Sequence, residues 1–134
     1  MKILIVGQGS IGQRHLRNIE KFLSNFEIIL LRKKYYTPKL NKNNKVIGNK
    51  KKDNKYSTFS NYKKALDQNP NAVFICNPTS LHIDYAIEAA KRSINIFVEK
   101  PLSHNKNKIK ILKNLISKNK IIFMIGFQFR FHPL

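Results

Sequence analysis

This chain opens with a mostly apolar run that leads directly into three closely spaced glycines. No other feature of the sequence limits its fold as strongly. The run KILIV (2–6) precedes Gly7, Gly9 and Gly12, and a helical pattern begins near Ser10. In such a strand–turn–helix unit, the first glycine allows a tight turn, the second lets a bulky group approach the backbone, and the third lets the helix pack against the strand. Free amides at the helix start attract phosphate groups. The pattern therefore predicts a turn that binds the diphosphate of a dinucleotide.

The residues alone leave a second interpretation of this turn open, in which the glycines only shape the backbone and bind nothing. The position of the turn at the start of a β-α-β unit favours a bound dinucleotide, because the motif is far more specific there than in isolation. On that interpretation we expect the cofactor to contact the whole turn, which comprises Gly7, Gln8, Gly9, Ser10, Ile11 and Gly12.

Short apolar runs alternate with helical patterns along the rest of the chain. The further runs are 27–31, 72–76, 94–98 and 121–125, with a short strand near 56–59. Because these runs lack polar alternation, they are typical of parallel strands covered by helices on both faces. Helices are expected at 10–24, 60–69, 80–92 and 103–119, with Leu16, Ile19 and Leu23 inward on the first and Ser60, Ser80 and Ser103 as caps of the others. The rhythm predicts an α/β fold with a Rossmann-like, doubly wound parallel sheet.

The segment 33–55 interrupts this rhythm and is expected to be a solvated loop. Pro38, Gly48 and many Asn and Lys residues argue against a helix of ordinary length. The stretch 32–64 carries 12 basic residues and a single acid, Asp53. A surface patch that attracts phosphate is the alternative interpretation of this segment.

The residue that follows the second strand bears on the choice between NAD and NADP. NAD sites usually carry an acid about 20 residues after the last glycine, where it binds the ribose 2′-hydroxyl. Here that position is Arg32, which Lys33 follows, and the nearest acid, Glu27, lies at the other end of the strand. A guanidinium suits a 2′-phosphate, because it can donate two parallel hydrogen bonds to phosphate oxygens. The sequence therefore predicts NADP, with NAD as the alternative if Arg32 is only one more basic residue in a basic chain.

Composition limits the partners and the location. The 134 residues suffice for one full-sized domain, and 26 Lys and Arg against 7 Asp and Glu give a net charge of +19. That charge suits a nucleic-acid partner, but no RNA- or DNA-binding motif accompanies it, so we favour compositional drift. The only cysteine, Cys76, lies in an apolar run and is expected to be an inert thiol in a reducing compartment. We expect a cytoplasmic protein with no metal site and no membrane span.

Two further motifs follow later strands and lie on the same edge as the glycine turn. The run CNPTSLH (76–82) follows AVFI, and VEKP (98–101) follows INIF. In an open parallel sheet, ligands bind beyond the carboxyl ends of the strands. Together with GSIGQRH (9–15) and GFQFRFHP (126–133), these motifs resemble the glucose–fructose oxidoreductase and inositol dehydrogenase (Gfo/Idh/MocA) family over essentially the whole chain.

The resemblance implies roles for the residues at these motifs. On the ribose and nicotinamide side, the cofactor would contact Asn77, Pro78, Thr79, His82, Glu99, Lys100 and Pro101. Lys100 would also be the catalytic residue, at a Lys–Pro bond that is commonly cis, in hydride transfer between NADP and a sugar or polyol. It would stabilise an alkoxide or pass a proton. From the residues alone, His82 could equally pack or cap a helix, Glu99 could pair with a cation, and His15 is expected to be structural or exposed.

Members of this family carry a second α/β domain after the final motif. The resemblance therefore implies a dinucleotide-binding Rossmann domain at 1–125 and, at 126–134, the start of a linker to a substrate domain that this chain lacks. Gln128 and Arg130 would touch the substrate, and the alternation of Phe127, Phe129 and Phe131 predicts a half-covered strand.

Three hypotheses about function follow from this division. The first is the cofactor domain of an NADP-dependent sugar or polyol oxidoreductase, incomplete alone and completed by a homo-oligomer or a complementary chain. The second is a nucleotide-binding or partner-docking Rossmann module without chemistry. The third is a basic nucleic-acid-binding protein, whose affinity would fall steeply with salt.

Overall fold

Strands and helices alternate through most of the chain, of which the computed structural model describes residues 1–32, 37–50, 55–131 and 133. The strands are β1 (Lys2–Val6), β2 (Glu27–Leu31), β3 (Thr37–Leu40), β4 (Val46–Lys50), β5 (Ser57–Phe59), β6 (Ala72–Ile75), β7 (Asn95–Glu99) and β8 (Phe123–Gly126). The helices are α1 (Ser10–Phe22), α2 (Tyr62–Leu66), α3 (Thr79–Ala90) and α4 (Ile109–Asn119), and a 3-10 helix spans Gln128–Phe131.

Six of the strands form one parallel sheet in the order β5-β2-β1-β6-β7-β8. The chain builds this sheet outward from β1, first through β2 to β5 and then from β6 to β8. At the end of β1, Val6 pairs with Leu31 of β2 on one side and with Ile75 of β6 on the other. A ligand crevice opens where neighbouring strands depart in opposite directions from the centre of such a sheet. The predicted fold class is therefore confirmed, and the crevice lies beyond Val6 and Ile75.

The sheet has an apolar core on each of its two faces. Successive side chains of a strand point to opposite faces, so Ile3 and Ile5 pack with α1, whereas Leu4 and Val6 pack with residues of the other three helices. All four of these side chains are buried. This two-sided burial explains why the strands lack polar alternation in the sequence.

The inward face of α1 was predicted correctly at two of its three positions. Leu16 and Ile19 are buried against the sheet, but Leu23 lies just beyond the helix and is 40% exposed. The helix ends at Phe22 because Leu23 adopts an extended conformation, while its N–H still bonds to Ile19 O at 3.0 Å. The prediction that Leu23 faces inward is wrong.

The predicted serine caps are also wrong. Asn61 caps α2, where its side chain accepts a hydrogen bond from Lys64 N at 3.1 Å. Pro78 precedes α3, so Ser80 lies inside the helix, and Lys108 precedes α4. Ser103 instead accepts a bond from Asn105 N within a turn. Serine is favoured at caps, but the packing of each helix against the sheet decides where the helix begins.

The described part of the segment 33–55 is a β-hairpin rather than a solvated loop. Strands β3 and β4 pair antiparallel and form a two-stranded sheet of their own. The turn between them is organised by Asn41, whose side chain accepts hydrogen bonds from Asn43 N and Lys45 N, and by Asn44 at φ 59°. Asparagine commonly forms such side-chain turns and tolerates positive φ.

The end of the described chain also differs from its prediction. Residues 128–131 form a 3-10 helix, in which Arg130 N donates to Phe127 O at 3.0 Å, instead of a strand. The rings of Phe127 and Phe129 are exposed. Alternation over so few residues fits more than one backbone conformation, so the pattern alone does not specify a strand.

Two leucines provide a matched test of the α1 face of the sheet. Leu30 of β2 is fully buried, whereas Leu23 is 40% exposed. Truncation of a buried leucine removes apolar contacts and leaves a cavity, so we expect Leu30→Ala to lower the free energy of unfolding by about 2–5 kcal/mol. The Leu23→Ala control should change it by about 0.5 kcal/mol or less. Urea denaturation followed by circular dichroism measures both, and equal losses would contradict this description of the core.

Candidate functional site

The three glycines of the turn have different roles. The backbone requires glycine at Gly7 and Gly12, whereas Gly9 leaves open space beside the turn. Gly7 has φ +89°, and a β-carbon there would lie 2.8 Å from Asn77 N. A β-carbon on Gly12 would lie only 2.0 Å from Gly7 O, so the approach of α1 to β1 requires a glycine. A β-carbon on Gly9 would meet nothing within 4 Å. The turn is therefore built by Gly7 and Gly12, and open space lies beside Gly9.

The first turn of α1 borders that open space. Gly9 is the residue before the helix and offers no side-chain cap, and the first turn carries no acidic residue. Backbone N–H groups in the first turn of a helix have no partner within the helix and carry a partial positive charge. This end of α1 can therefore bind an anionic group such as a phosphate.

A cavity of about 570 Å³, which we call the turn cavity, opens beside the glycine turn. Its wall includes Gly9, Arg32, Pro38, Asn77 and Tyr85. Arg32 directly follows β2 and is only 8% exposed, and its backbone N–H donates to Phe59 O at 2.9 Å. The structure thus brings the predicted Arg32 to the same cavity as the turn.

Glu27 and Arg32 lie at opposite ends of β2. Glu27 lies at the far end of β2, where it pairs with Lys2 at 3.5 Å, and so is remote from the turn cavity. The predicted cofactor residue Lys33 lies outside the described residues. Arg32 is therefore the charged group that the structure places at the β2 end of this cavity.

A second cavity of about 490 Å³, the lysine cavity, lies toward β7 and β8. It is lined by Lys100, His15, Glu99 and Gln128, among others. Four residues line both cavities, namely Ile11, Cys76, Asn77 and Pro78. The two cavities therefore adjoin, and together they form a groove across the carboxyl edge of the sheet.

Asn77 stands where the two cavities meet. Its side-chain oxygen and nitrogen are both buried, and neither has a hydrogen-bond partner among the described residues. Buried amides are normally satisfied, since an unmade hydrogen bond costs about 1–3 kcal/mol. The orphaned amide fits a ligand that would supply polar atoms at the middle of the groove. Pro78 and Thr79 follow it, at the residue before α3 and at the first residue of α3.

His82 connects two of the predicted motifs through their main chains. Its ring is 1% exposed, with Nε2 2.7 Å from Asn77 O and Nδ1 2.8 Å from Pro101 O. Both partners are carbonyl acceptors, so a neutral imidazole donates to one of them at a time. Both the packing and the cavity-lining interpretations apply, because His82 also borders the lysine cavity.

The Glu99–Lys100–Pro101 motif lies directly after β7. The Lys100–Pro101 bond is cis, as the family resemblance implies. Lys100 is exposed and lines the lysine cavity, so its ammonium is accessible from the groove. Glu99 pairs with His15, with Oε1 and Nε2 2.7 Å apart.

His15 is the residue of this site whose place the sequence did not reveal. Its ring lies against Phe97, edge on at a centroid distance of 4.9 Å, and against Phe74 at 5.6 Å. It therefore fixes the carboxylate of Glu99 from a helix that is distant in sequence. The one available signal was its position three residues after Gly12, which places both residues on one side of α1.

The two predicted substrate residues differ in their positions. Gln128 lines the lysine cavity next to Lys100. Arg130 is exposed and borders neither this cavity nor the turn cavity. The structure thus brings Gln128, but not Arg130, together with the catalytic candidate.

Cys76 contributes a protonated thiol to the wall between the cavities. Burial, with a smaller contribution from the charge of Glu99, raises the pKa of the Cys76 thiol to about 12. A thiol is reactive only as the thiolate. Cys76 is therefore inert near neutral pH, as the sequence predicts.

Neither a metal-binding cluster nor a membrane-spanning helix occurs among the described residues. Residues 1–32, 37–50, 55–131 and 133 contain no group of three or more His, Cys, Asp or Glu side chains that could hold a metal ion. Within the same residues, every helix is too short or too polar to cross a bilayer.

Comparison with known proteins places this geometry among dehydrogenases. The family model GFO_IDH_MocA, an oxidoreductase family with an NAD-binding Rossmann fold, matches residues 1–127. The chain is 30% identical to the uncharacterized oxidoreductase YrbE of Bacillus subtilis over 137 residues, which cover 96% of this chain and 36% of YrbE. It is 38% identical to scyllo-inositol 2-dehydrogenase (NAD(+)) of the same organism over 72 residues, which cover 54% of this chain and 21% of that enzyme.

A solved structure supports the fold. The scyllo-inositol dehydrogenase from Lactobacillus casei with bound cofactor NAD(H) and scyllo-inositol superposes with a TM-score of 0.75 at 21% identity. The match covers 98% of this chain and 37% of that one. This chain thus spans well under half of each relative.

The buried state of Cys76 leads to a direct chemical test. With its pKa raised to about 12, against about 8.5 for a free thiol, the thiolate fraction at pH 7.5 is lower by about three thousandfold. We expect N-ethylmaleimide to modify the folded chain at least that much more slowly than the urea-unfolded chain, as followed by mass spectrometry. The folded rate should still rise at pH 9–10, where a free thiol levels off. A rate in the folded chain equal to that of a free thiol would contradict the assignment.

Proposed function

Because this chain belongs to the Gfo/Idh/MocA family of oxidoreductases with an NAD-binding Rossmann fold, we propose that it holds a nicotinamide dinucleotide along the groove for hydride transfer to or from a sugar or polyol. The observation that carries the proposal is the continuity of the groove. Open space at Gly9 leads through the orphaned amide of Asn77 to the cavity that Lys100 lines.

Each part of the groove has the chemistry that one part of the cofactor requires. The amides at Gly9, Ser10 and Ile11 would hold the diphosphate. The turn cavity would take the adenosine half at the end of β2, and Asn77 would bind polar atoms of the ribose or nicotinamide. The nicotinamide half would lie in the lysine cavity, where the ring would accept or supply hydride.

Arg32 supports NADP as the preferred cofactor. It occupies the β2 end of the turn cavity, and Glu27 lies at the opposite end of the strand. A 2′-phosphate would offer the guanidinium about two negative charges and several acceptor oxygens, whereas the 2′-hydroxyl of NAD would offer it one neutral oxygen. The two scyllo-inositol dehydrogenases named above carry NAD(+) or bound NAD(H) in their descriptions, so this preference would distinguish the chain from those two enzymes.

Lys100 is the proposed catalytic residue. Its ammonium is exposed to the lysine cavity beside Gln128, so it can donate a hydrogen bond to a substrate oxygen. In reduction, Nζ of Lys100 would give a proton to the substrate oxygen as hydride reaches the carbonyl carbon. In oxidation, the amine form of Lys100 would take the hydroxyl proton as hydride leaves that carbon. The neighbouring carboxylate, Glu99, pairs with His15 through Oε1.

The proposed activity requires a substrate domain in addition to the groove. We propose that residues 1–125 are the dinucleotide-binding domain and that 126–134 begin the linker to a substrate domain, supplied by a longer chain or a complementary chain. Hydride transfer requires a pocket that holds the substrate against the nicotinamide and excludes water. Gln128, and Arg130 if the linker moves it toward the groove, would complete the substrate side. The unreactive thiol of Cys76 is compatible with the cytoplasmic location that we propose.

Substitution of Gly9 tests the phosphate site without disturbing the fold. A β-carbon at this position meets nothing within 4 Å, so Gly9→Ala should leave the thermal midpoint nearly unchanged. The methyl group would fill the space next to the helix amides, and we expect the affinity for NADPH to fall about tenfold or more. Fluorescence titration with NADPH measures this loss. Gly12→Ala is the comparison variant and should lose stability as well as binding, whereas undiminished binding by Gly9→Ala would contradict the site.

Neutralisation of Arg32 tests the choice of cofactor. If Arg32 binds the 2′-phosphate, Arg32→Gln should weaken NADP by about 10-fold to 100-fold and leave NAD nearly unchanged. Calorimetric titration with both dinucleotides gives the ratio, which is insensitive to a general loss of folded protein. Lys113→Gln, on the exposed side of α4, removes the same charge elsewhere and should not alter the ratio. Tighter binding of NAD than of NADP by the unmodified chain would overturn the preference and leave dinucleotide binding intact.

A further inference from the structure

A single buried amide connects the glycine turn to the β3–β4 hairpin. Gln13 of α1 is 9% exposed, and its Nε2 donates to Gln8 O at 3.0 Å and to Pro38 O at 2.8 Å. Its Oε1 accepts from Leu40 N at 3.0 Å. One side chain therefore satisfies one main-chain group of the turn and two of the hairpin.

The hairpin depends on such contacts for its position. It is not part of the six-stranded sheet, and an isolated two-stranded hairpin is only marginally stable in water. Its exposed side chains include Val46 and Ile47, so it has little apolar surface buried against the rest of the molecule. Beside Gln13, Arg17 also contacts it from α1, with Nη1 3.2 Å from Leu40 O.

The position of the hairpin matters because it forms one wall of the turn cavity. Pro38 lines this cavity together with the glycine turn, and Arg32 lines it at the end of β2. In a sheet of this topology, the end of β2 is where the adenosine ribose of a dinucleotide lies. The hairpin thus lies at the adenosine side of the groove. On this side β5 is the edge strand of the six-stranded sheet.

We propose that Gln13 is a positioning residue that holds the β3–β4 hairpin as the outer wall of the adenosine subsite. This inference rests on the proposed binding of a dinucleotide and adds that the hairpin is part of the site. Gln13 does not line either cavity. It acts by fixing Pro38 relative to the glycine turn, so that the wall is in place before the nucleotide arrives. If the hairpin had to become ordered during binding, the conformational entropy lost in ordering it would weaken the affinity for the nucleotide.

Loss of the amide should detach the hairpin without unfolding the core. Pro38 O and Leu40 N would lose their partner, but both lie near solvent, and water can replace it. The cores on both faces of the sheet do not include Gln13. Gln8 O would also lose its donor, in a buried bond, so global stability should fall modestly. The main effect should appear in the hairpin and in nucleotide affinity.

The test compares Gln13→Ala with a second glutamine. Hydrogen exchange of peptides covering 37–50 in the absence of nucleotide reports hairpin docking, and titrations with NADPH and with 2′,5′-ADP report the adenosine subsite. We expect faster exchange and an affinity loss of about tenfold for both ligands. Gln68→Ala removes an exposed glutamine side chain, whose Nε2 donates to Lys64 O at 3.5 Å far from the hairpin, and it should change neither. Gln13→Glu keeps the side-chain volume and the bond from Leu40 N but cannot donate to Pro38 O, so it should behave like Gln13→Ala if the donated bonds hold the hairpin.

The outcomes separate this inference from the proposed function. Faster exchange together with weaker 2′,5′-ADP binding supports it. Faster exchange with unchanged affinity would overturn it, since the hairpin would then be no part of the subsite. Unchanged exchange in both Gln13 variants would overturn it as well, because the amide would not hold the hairpin. Failure of the unmodified chain to bind NADPH at all would instead overturn the proposed function, and with it the inference.

Discussion

The close approach of Gly12 to the carbonyl of Gly7 is the contact on which the rest of this structure depends. A β-carbon at Gly12 would lie 2.0 Å from that oxygen, so α1 can begin where it does only because the residue is glycine. The approach sets α1 against β1 and directs the first amides of the helix toward the crevice between β1 and β6. Gly7 lines the turn cavity, and this cavity shares Ile11 and Asn77 with the lysine cavity.

Once α1 is fixed there, its side chains support both ends of the groove. Gln13 bonds to the hairpin beside β2, and His15 bonds to Glu99 at the end of β7. These partners are 25 and 84 residues away along the chain, on opposite sides of the central strand. One helix thus links the adenosine side, where Arg32 lies, with the side at which Lys100 is exposed. A small displacement of α1 would alter both.

The sequence predicted what depends on local pattern, and it missed what depends on distant partners. The strands, the glycine turn and the parallel topology follow from apolar runs that are buried on two faces and from glycines at a strand end. The hairpin was missed because most of its side chains face solvent and leave no apolar alternation, although the Asn41 turn was a usable signal. Gln13 and His15 looked like ordinary helix residues because their partners are far away in sequence. The caps were wrong because tertiary packing sets the first residue of each helix.

The central claim is that one dinucleotide lies across both cavities. The most direct test is an NMR titration of the ¹⁵N-labelled chain with NADP, followed through amide shifts. We expect the backbone amides of Gly9, Ser10 and Ile11 and the side-chain amide of Asn77 to shift together and to saturate at one equivalent of NADP. Shifts confined to exposed basic positions such as Lys63 and Lys64, with the glycine turn and Asn77 unmoved, would contradict it.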